Sequence, residues 1–362
     1  MAIYFGCPDK DYPVGGIRAI YRHVDILNRN GLEAFVLHRL APFRCTWFEN
    51  ETRVAHQLRY PSMNRSLPAR AVRRAKRSIG LLRIDPLPGL EIGSADFLVV
   101  PEVMPGLADF APASPKAVFN QNAYLTLAPY PLGIEPEATV YARENVIGAV
   151  VVSEDSRHYL ETLFPDLNVR RIHYGIDPRL FAFTREKRRR IAYMPRKNPH
   201  DLHQVLLRLQ LAGRLGGWDL AEIDGRSERE TAAVLRESAV FLSAGSAEGF
   251  GLPAAEAMSA GCVVVGYHGN GGREFLTEEL AFPVPAGEVV TFADTVAGVL
   301  RRLERGSPEL TRRVEAASRF TRENYSPERE ERDLVEVWAE WASSSSSRTM
   351  RPPARSGVNR AS

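Results

Sequence analysis

Long apolar runs are missing from this chain. No stretch reaches the roughly 18 residues needed to cross a bilayer, so no membrane span is expected. The start, Met1-Ala2-Ile3-Tyr4-Phe5, has no basic segment ahead of it and is too short for a signal peptide. Cysteine is scarce: Cys7, Cys45 and Cys262 stand far apart, which excludes a disulfide framework and a cysteine zinc site. A reducing, cytoplasmic compartment is expected. Only five of the 47 cationic residues are lysine, an imbalance read as coding bias rather than a binding need. No internal repeat of 20–50 residues is present.

Acid is absent from two stretches. Residues 52–84 hold nine Lys/Arg and no Asp/Glu, and residues 342–362 hold four Arg and no acid. The net charge of +3 therefore hides an acidic body, which does not suit a general nucleic-acid binder. The basic stretch, with Arg70, Arg73, Arg74, Lys76 and Arg77, reads as a partly amphipathic insertion with a solvated face. Its other reading is a peripheral contact with an anionic membrane through residues 65–83.

What is present is ordinary for a globular protein: 362 residues, 44 % hydrophobic and 25 % charged, enough for two domains. A strand is expected over 3–6. A loop then ends in Gly15-Gly16, and Ile17, Ile20, Tyr21, Val24 and Leu27 recur at helical spacing. Asn30-Gly31 closes that helix, and a strand follows over 34–37. Further short strands are expected over 97–101, 117–120 and 149–153. A second alternation begins with a strand over 191–194 and a helix near 200–213. Strands over 220–223, 239–242 and 262–265 complete it. The chain therefore reads as two α/β halves with parallel sheets, joined near 176–187. Ser326-Pro327 opens a late helix, with Leu334, Trp338 and Trp341 on one face. The serine run after it reads as a disordered tail.

The most informative segment is Ser246-Ala247-Glu248-Gly249-Phe250-Gly251-Leu252-Pro253-Ala254-Ala255-Glu256-Ala257-Met258. A strand enters it and a helix leaves it. Gly249 and Gly251 let a ligand approach the backbone, and the free N–H groups of the helix start suit a phosphate. Glu248 and Glu256 can accept hydrogen bonds from the hydroxyls of a sugar or ribose. The glycine spacing also fits a dinucleotide fingerprint, but the next strand ends in Gly266-Tyr267-His268, without the acid that reading needs. Asp9-Lys10-Asp11 copies a metal-binding D-x-D pattern but sits in a loop after the first strand. His200-Asp201-Leu202-His203 lacks a third ligand and reads as a helix face. No metal site is expected.

Taken with Gly261 and Gly269-Asn270-Gly271-Gly272, the segment from Glu248 to Met258 resembles the donor-binding signature of family 4 glycosyltransferases. These are retaining, nucleotide-sugar-dependent enzymes of the GT-B fold, with two Rossmann-like domains facing across a cleft. The likeness covers about 27 residues closely and most of residues 1–341 weakly. It implies an N-terminal acceptor-side domain over 1–184, a nucleotide-sugar-binding domain over 185–325, and a terminal helix over 326–341 crossing back to the first domain. Residues 342–362 remain as the tail.

The resemblance also implies roles. Gly15 and Gly16 face the donor phosphates. Arg196 and Lys197 neutralise the departing diphosphate, although the family usually separates this pair. Glu248 lies by the transferred sugar, the backbone of Gly249, Phe250, Gly251 and Leu252 holds sugar and phosphate, and Glu256 binds the ribose. The family histidine of the first domain has no counterpart in Phe119-Asn120-Gln121-Asn122-Ala123-Tyr124, so Asn120 or Asn122 is expected to contact the sugar or acceptor. The implied reaction moves a hexosyl group from a UDP- or GDP-linked sugar to an acceptor hydroxyl, with no metal or other cofactor. The implied acceptor is a glycan or lipid-linked saccharide of the cell envelope, in polysaccharide biosynthesis. A nucleotide-sugar epimerase of the same fold and a degenerate, non-catalytic nucleotide-sugar binder are the alternatives.

Overall fold

The computed structural model describes residues 1–57 and 90–349. The basic residues from Arg59 to Arg83, and with them the membrane-contact expectation over 65–83, lie outside the described residues. Within them two sheets form, and every strand pair is parallel.

The first sheet has seven strands in the order β3-β2-β1-β4-β5-β6-β7. They are β1 (Ile3–Gly6), β2 (Ala34–His38), β3 (Val54–His56), β4 (Phe97–Pro101), β5 (Lys116–Asn120), β6 (Val146–Val151) and β7 (Val169–Arg171). The central strands β1, β4 and β5 are buried at every position, as a parallel sheet covered on both faces requires. β3 corrects the sequence reading. Residues 54–56 were assigned to the basic insertion, yet they pair with β2 as an edge strand. Three residues carry too little periodicity to show this.

Helix α1 (Gly15–Arg29) packs on that sheet through Ile17, Ile20, Tyr21, Val24 and Leu27. It ends where Asn30 caps it and Gly31 takes φ +79°, a conformation glycine adopts without strain. Helix α2 (Glu154–Leu163) follows β6, with the Ser153 hydroxyl accepting the Ser156 N–H.

The second sheet has the order β12-β11-β10-β8-β9. Its strands are β8 (Arg188–Tyr193), β9 (Asp219–Glu222), β10 (Ser238–Ser243), β11 (Val263–Gly266) and β12 (Phe282–Pro283). Its helices are α3 (Pro199–Leu211), α4 (Glu228–Glu237), α5 (Leu252–Ala260), α6 (Val289–Glu304) and α7 (Pro308–Asn324). A capping box between Ser227 and Glu230 starts α4.

The chain crosses between domains twice, and the crossings bind each other: the Ile176 N–H donates to the Tyr325 carbonyl at 2.8 Å. Helix α8 (Pro327–Thr349) then returns to the first sheet. Trp338 meets Phe5 and Phe97 edge-on at 5.7 and 5.6 Å, and Leu334, Trp338 and Trp341 are all buried. The helix continues to Thr349, so the expected end at residue 341 and the start of the tail at 342 are corrected. Serine is a middling helix former rather than a breaker, and no proline or glycine intervenes before Pro352. No described helix is long and apolar enough to cross a membrane.

Candidate functional site

A cavity of about 420 Å³ opens between the two sheets, where the carboxyl ends of their strands face each other. The second domain supplies one wall. β10 runs into a turn that reverses at Gly251, φ +97°, and starts α5. The glycine-rich segment behind braces this turn. The Glu248 N–H donates to the Gly269 carbonyl at 2.8 Å, and the Gly271 N–H to the Glu248 carbonyl at 3.1 Å. A Cβ on Gly271 would come within 2.1 Å of the Gly249 oxygen, so the two glycine segments fit only without side chains.

Arg196 and Lys197 follow β8, and both line the cavity. Their adjacency therefore turns neither away. Lys197 Nζ donates to Glu248 Oε1 at 2.5 Å. Arg196 is exposed and makes no ion pair among the described residues. Phe250 is buried, with its ring against Tyr174, Phe275 and Tyr325. Its ring packs into the wall, and the residue lines the cavity, where the donor contact is expected through the backbone.

The first domain supplies the opposite wall. Gly15 and Gly16 open α1 at the cavity, so the amino ends of α1 and α5 both point their free N–H groups at one space. The loop after β5 touches the second domain directly. Asn122 Nδ2 donates to the Ala247 carbonyl at 3.0 Å, and a Cβ on Gly249 would fall 1.9 Å from the Gln121 carbonyl oxygen. Of the two asparagines expected here, only Asn122 lines the cavity. Asn120 is fully buried, and its amide is spent on Thr126 Oγ1 at 2.6 Å and the Tyr141 hydroxyl at 2.8 Å. Asn120 is the last residue of β5, inside the sheet, whereas Asn122 lies two residues past the strand, where it caps the following turn and reaches the second domain.

Three polar residues of the cavity, Arg18, Glu102 and Gln121, add to those the sequence singles out. Arg18, on the first turn of α1, donates to Glu256 Oε1 at 3.2 Å and pairs with Glu228 at the start of α4. Glu102 directly follows β4, is 5 % exposed and accepts the Asn122 N–H at 3.1 Å. Burial pushes its carboxyl up to about 7, against the pull of backbone N–H groups. Gln121 accepts from the Tyr174 hydroxyl at 2.8 Å. Signals for two of these existed: an acid just past the fully apolar strand Phe97-Leu98-Val99-Val100-Pro101, and a cation two residues beyond a glycine pair. Both were too short to stand out in one sequence.

Glu256 is 6 % exposed. Burial pushes its carboxyl up to about 7, Arg18 pulls it down, and Glu228 adds to the rise. The two decoy motifs are structural. Asp9 accepts the N–H groups of Arg39 and Leu40, and Asp11 holds Thr46. Asp201 accepts from the Tyr267 hydroxyl at 2.8 Å.

Comparison with known proteins agrees with this arrangement. The family model described as Glycosyl transferases group 1 matches residues 203–302. An alpha-1,6-glucosyltransferase of Actinobacillus pleuropneumoniae is 27 % identical over 215 residues, which are 57 % of this chain and 64 % of that protein. The match thus spans less than two thirds of the relative. Among solved structures, sucrose-phosphate synthase from Thermosynechococcus elongatus superposes with a TM-score of 0.65 at 13 % identity, covering 95 % of this chain and 99 % of the other. Anabaena HepE, solved in complex with UDP-glucose, gives 0.62 at 13 % identity, covering 94 % and 100 %. With the same two-domain architecture in these structures the chain has the GT-B fold, and its second domain is similar to the group 1 glycosyltransferases.

Proposed function

We propose that the chain is an active, retaining glycosyltransferase of family 4 that moves a hexosyl group from a nucleotide sugar to an acceptor hydroxyl. The observation that carries this is the convergence on one cavity of Glu248, Glu256, Arg196, Lys197 and the amino ends of two helices. An anionic diphosphate would meet two cations and free backbone amides, while carboxylates stand on either side for sugar and ribose hydroxyls. A UDP-linked glucose is the first donor to test, since HepE was solved with UDP-glucose and the curated relative is named a glucosyltransferase.

In the proposed reaction the bond from C1 of the donor sugar to the phosphate oxygen breaks while the acceptor oxygen bonds to C1 on the same face. The acceptor proton passes to the departing phosphate oxygen. Arg196, Lys197 and the amides of the 249–252 turn take up the charge that develops there, so the proposal assigns no step to a metal or cofactor. Positioning matters more than acid–base residues in such a step. The contact of Asn122 with Ala247 and of Gln121 with Gly249 would shut water out. The acceptor is proposed to be a glycan or lipid-linked saccharide of the cell envelope, in polysaccharide biosynthesis. It would be glycosylated in the cytoplasm, with the basic stretch over 65–83 resting on the anionic inner membrane face.

A nucleotide-sugar panel read by thermal shift and by nucleoside diphosphate release tests the reading on wild type and Glu256→Ala. One donor should raise the melting temperature by mass action and release diphosphate, and the variant should lose both. No shift with any nucleotide or nucleotide sugar at millimolar concentration would overturn it. Diphosphate release with sugar isomerisation and no transfer would favour an epimerase, and binding without release a non-catalytic binder.

A further inference from the structure

Glu256 makes a contact that crosses the cleft. Its Oε1 accepts from Arg18 Nη2 at 3.2 Å, and the other arm of that guanidinium, Nη1, pairs with Glu228. Arg18 comes from α1 of the first domain, and both carboxylates come from the second. All three residues line the cavity. The side chains are 14 % exposed for Arg18 and 7 % for Glu256, so neither charge is well solvated and each depends on the other. The planar fork of a guanidinium also fixes the carboxylate it meets. Oε2 of Glu256 takes no hydrogen bond among the described residues.

We infer that Arg18 is a positioning residue for the donor: reaching across the cleft, it orients Glu256 and favours its charged form, with the second oxygen open to a ribose hydroxyl. The nucleoside half of the site is then complete only when the two domains are closed. This rests on the nucleotide-sugar reading above.

The surroundings of Glu256 support the assignment. Arg18 and Arg22 of α1 lower its pKa, while desolvation and Glu228 of α4 raise it. The flanking strands β10 and β11 contain no titratable side chain. Helix α7 meets α5 through uncharged groups there, the Ser318 hydroxyl donating to the Ser259 carbonyl at 2.8 Å. Without Arg18 the largest opposing influence on a buried acid is gone, and Glu256 stays protonated at neutral pH. A neutral carboxyl accepts a weaker hydrogen bond than a carboxylate.

The test measures the dissociation constants of UDP and GDP by calorimetry between pH 6 and pH 9 on the full chain. Wild type is compared with Arg18→Met, Arg18→Lys and Glu256→Gln. Arg18→Met is expected to bind about fivefold more weakly at pH 7 for a one-unit rise, and closer to about tenfold at pH 6, since well below the pKa each unit of rise removes tenfold of the carboxylate. The gap should narrow toward pH 9 as Glu256 ionises, and should be absent when Glu256→Gln is the background. Arg18→Lys keeps the charge without the fork, should weaken binding only a few-fold, and serves as the readout if the Met variant does not fold. Unchanged or tighter binding in Arg18→Met overturns the inference, because the contact is then a strap or a competitor of the ribose. A loss equal at every pH also overturns it, because Arg18 then touches the nucleotide itself. Failure of wild type to bind either nucleotide is a separate result, which sinks the nucleotide-sugar reading together with this one.

Discussion

The two walls of the cleft are written in the chain in different ways. The second-domain wall is nearly continuous. Glu248, the glycine turn and Glu256 belong to one strand–turn–helix, and Gly269 and Gly271 brace it from the next connection. The first-domain wall is assembled from three separate places: Gly15, Gly16 and Arg18 after β1, Glu102 after β4, and Gln121 with Asn122 after β5. These become neighbours because β1, β4 and β5 lie side by side. A local wall holds its geometry through its own hydrogen bonds. A dispersed wall depends on the whole sheet, and on contact with the opposite domain.

The largest effect should come from the second-domain wall, at Lys197, which joins it from the connection after β8. Lys197→Met removes a cation that faces the cavity and is paired with Glu248. Turnover, read by diphosphate release, should fall by about 10²–10³, the usual cost of losing one charge-stabilising group, with a smaller change in donor KM. An equal rise in KM with turnover intact would make Lys197 a ground-state binder instead.

Gly249→Ala tests the seam between the walls. Its Cβ has no room against the Gln121 carbonyl, so the domains must part. Displacement of reacting groups by about 1 Å costs on the order of 10²-fold. The variant should lose turnover to that extent while its melting temperature stays near wild type. A large drop in melting temperature with the residual activity per folded molecule unchanged would show that the seam is structural only.

Glu102 probes the dispersed wall through pH. Its folded pKa, about 7, lies above the ordinary 4.5. The folded state therefore holds the proton more tightly than the unfolded one. Stability from this group is fully present below about pH 4.5 and is lost as pH rises toward 7, at about 1.4 kcal/mol for each pH unit in that window. Glu256 shows the same shift, so wild type carries two such contributions. Glu102→Gln should flatten part of the fall measured by denaturant unfolding between pH 4.5 and pH 7.5, and Glu102→Gln with Glu256→Gln should flatten more. A profile identical to wild type would mean that Glu102 is solvated in solution.

The smallest effect is expected at Asn122. Its amide donates across the cleft to Ala247, and its carbonyl oxygen accepts the Tyr124 N–H. Asn122→Ala should cost about 1 kcal/mol, read as a few-fold rise in donor KM. A loss comparable to Lys197→Met would place Asn122 at the reacting sugar and make the two walls equal partners.

The sequence alone determined the elements whose signal is local. The buried strands over 97–101 and 3–6, the Asn30-Gly31 stop, the Ser326-Pro327 start and the glycine turn between Glu248 and Glu256 all follow from backbone conformation and short-range periodicity. Those forces act within a few residues, so one chain suffices to read them. Tertiary structure decided the rest. It alone separated Asn122 in the cavity from the buried Asn120, made residues 54–56 an edge strand, and carried α8 on to Thr349. It also brought Arg18 to Glu256, residues 238 positions apart in the chain. A long-range ion pair leaves no periodicity in the sequence, because its geometry is set by how two separately folded sheets come to face each other.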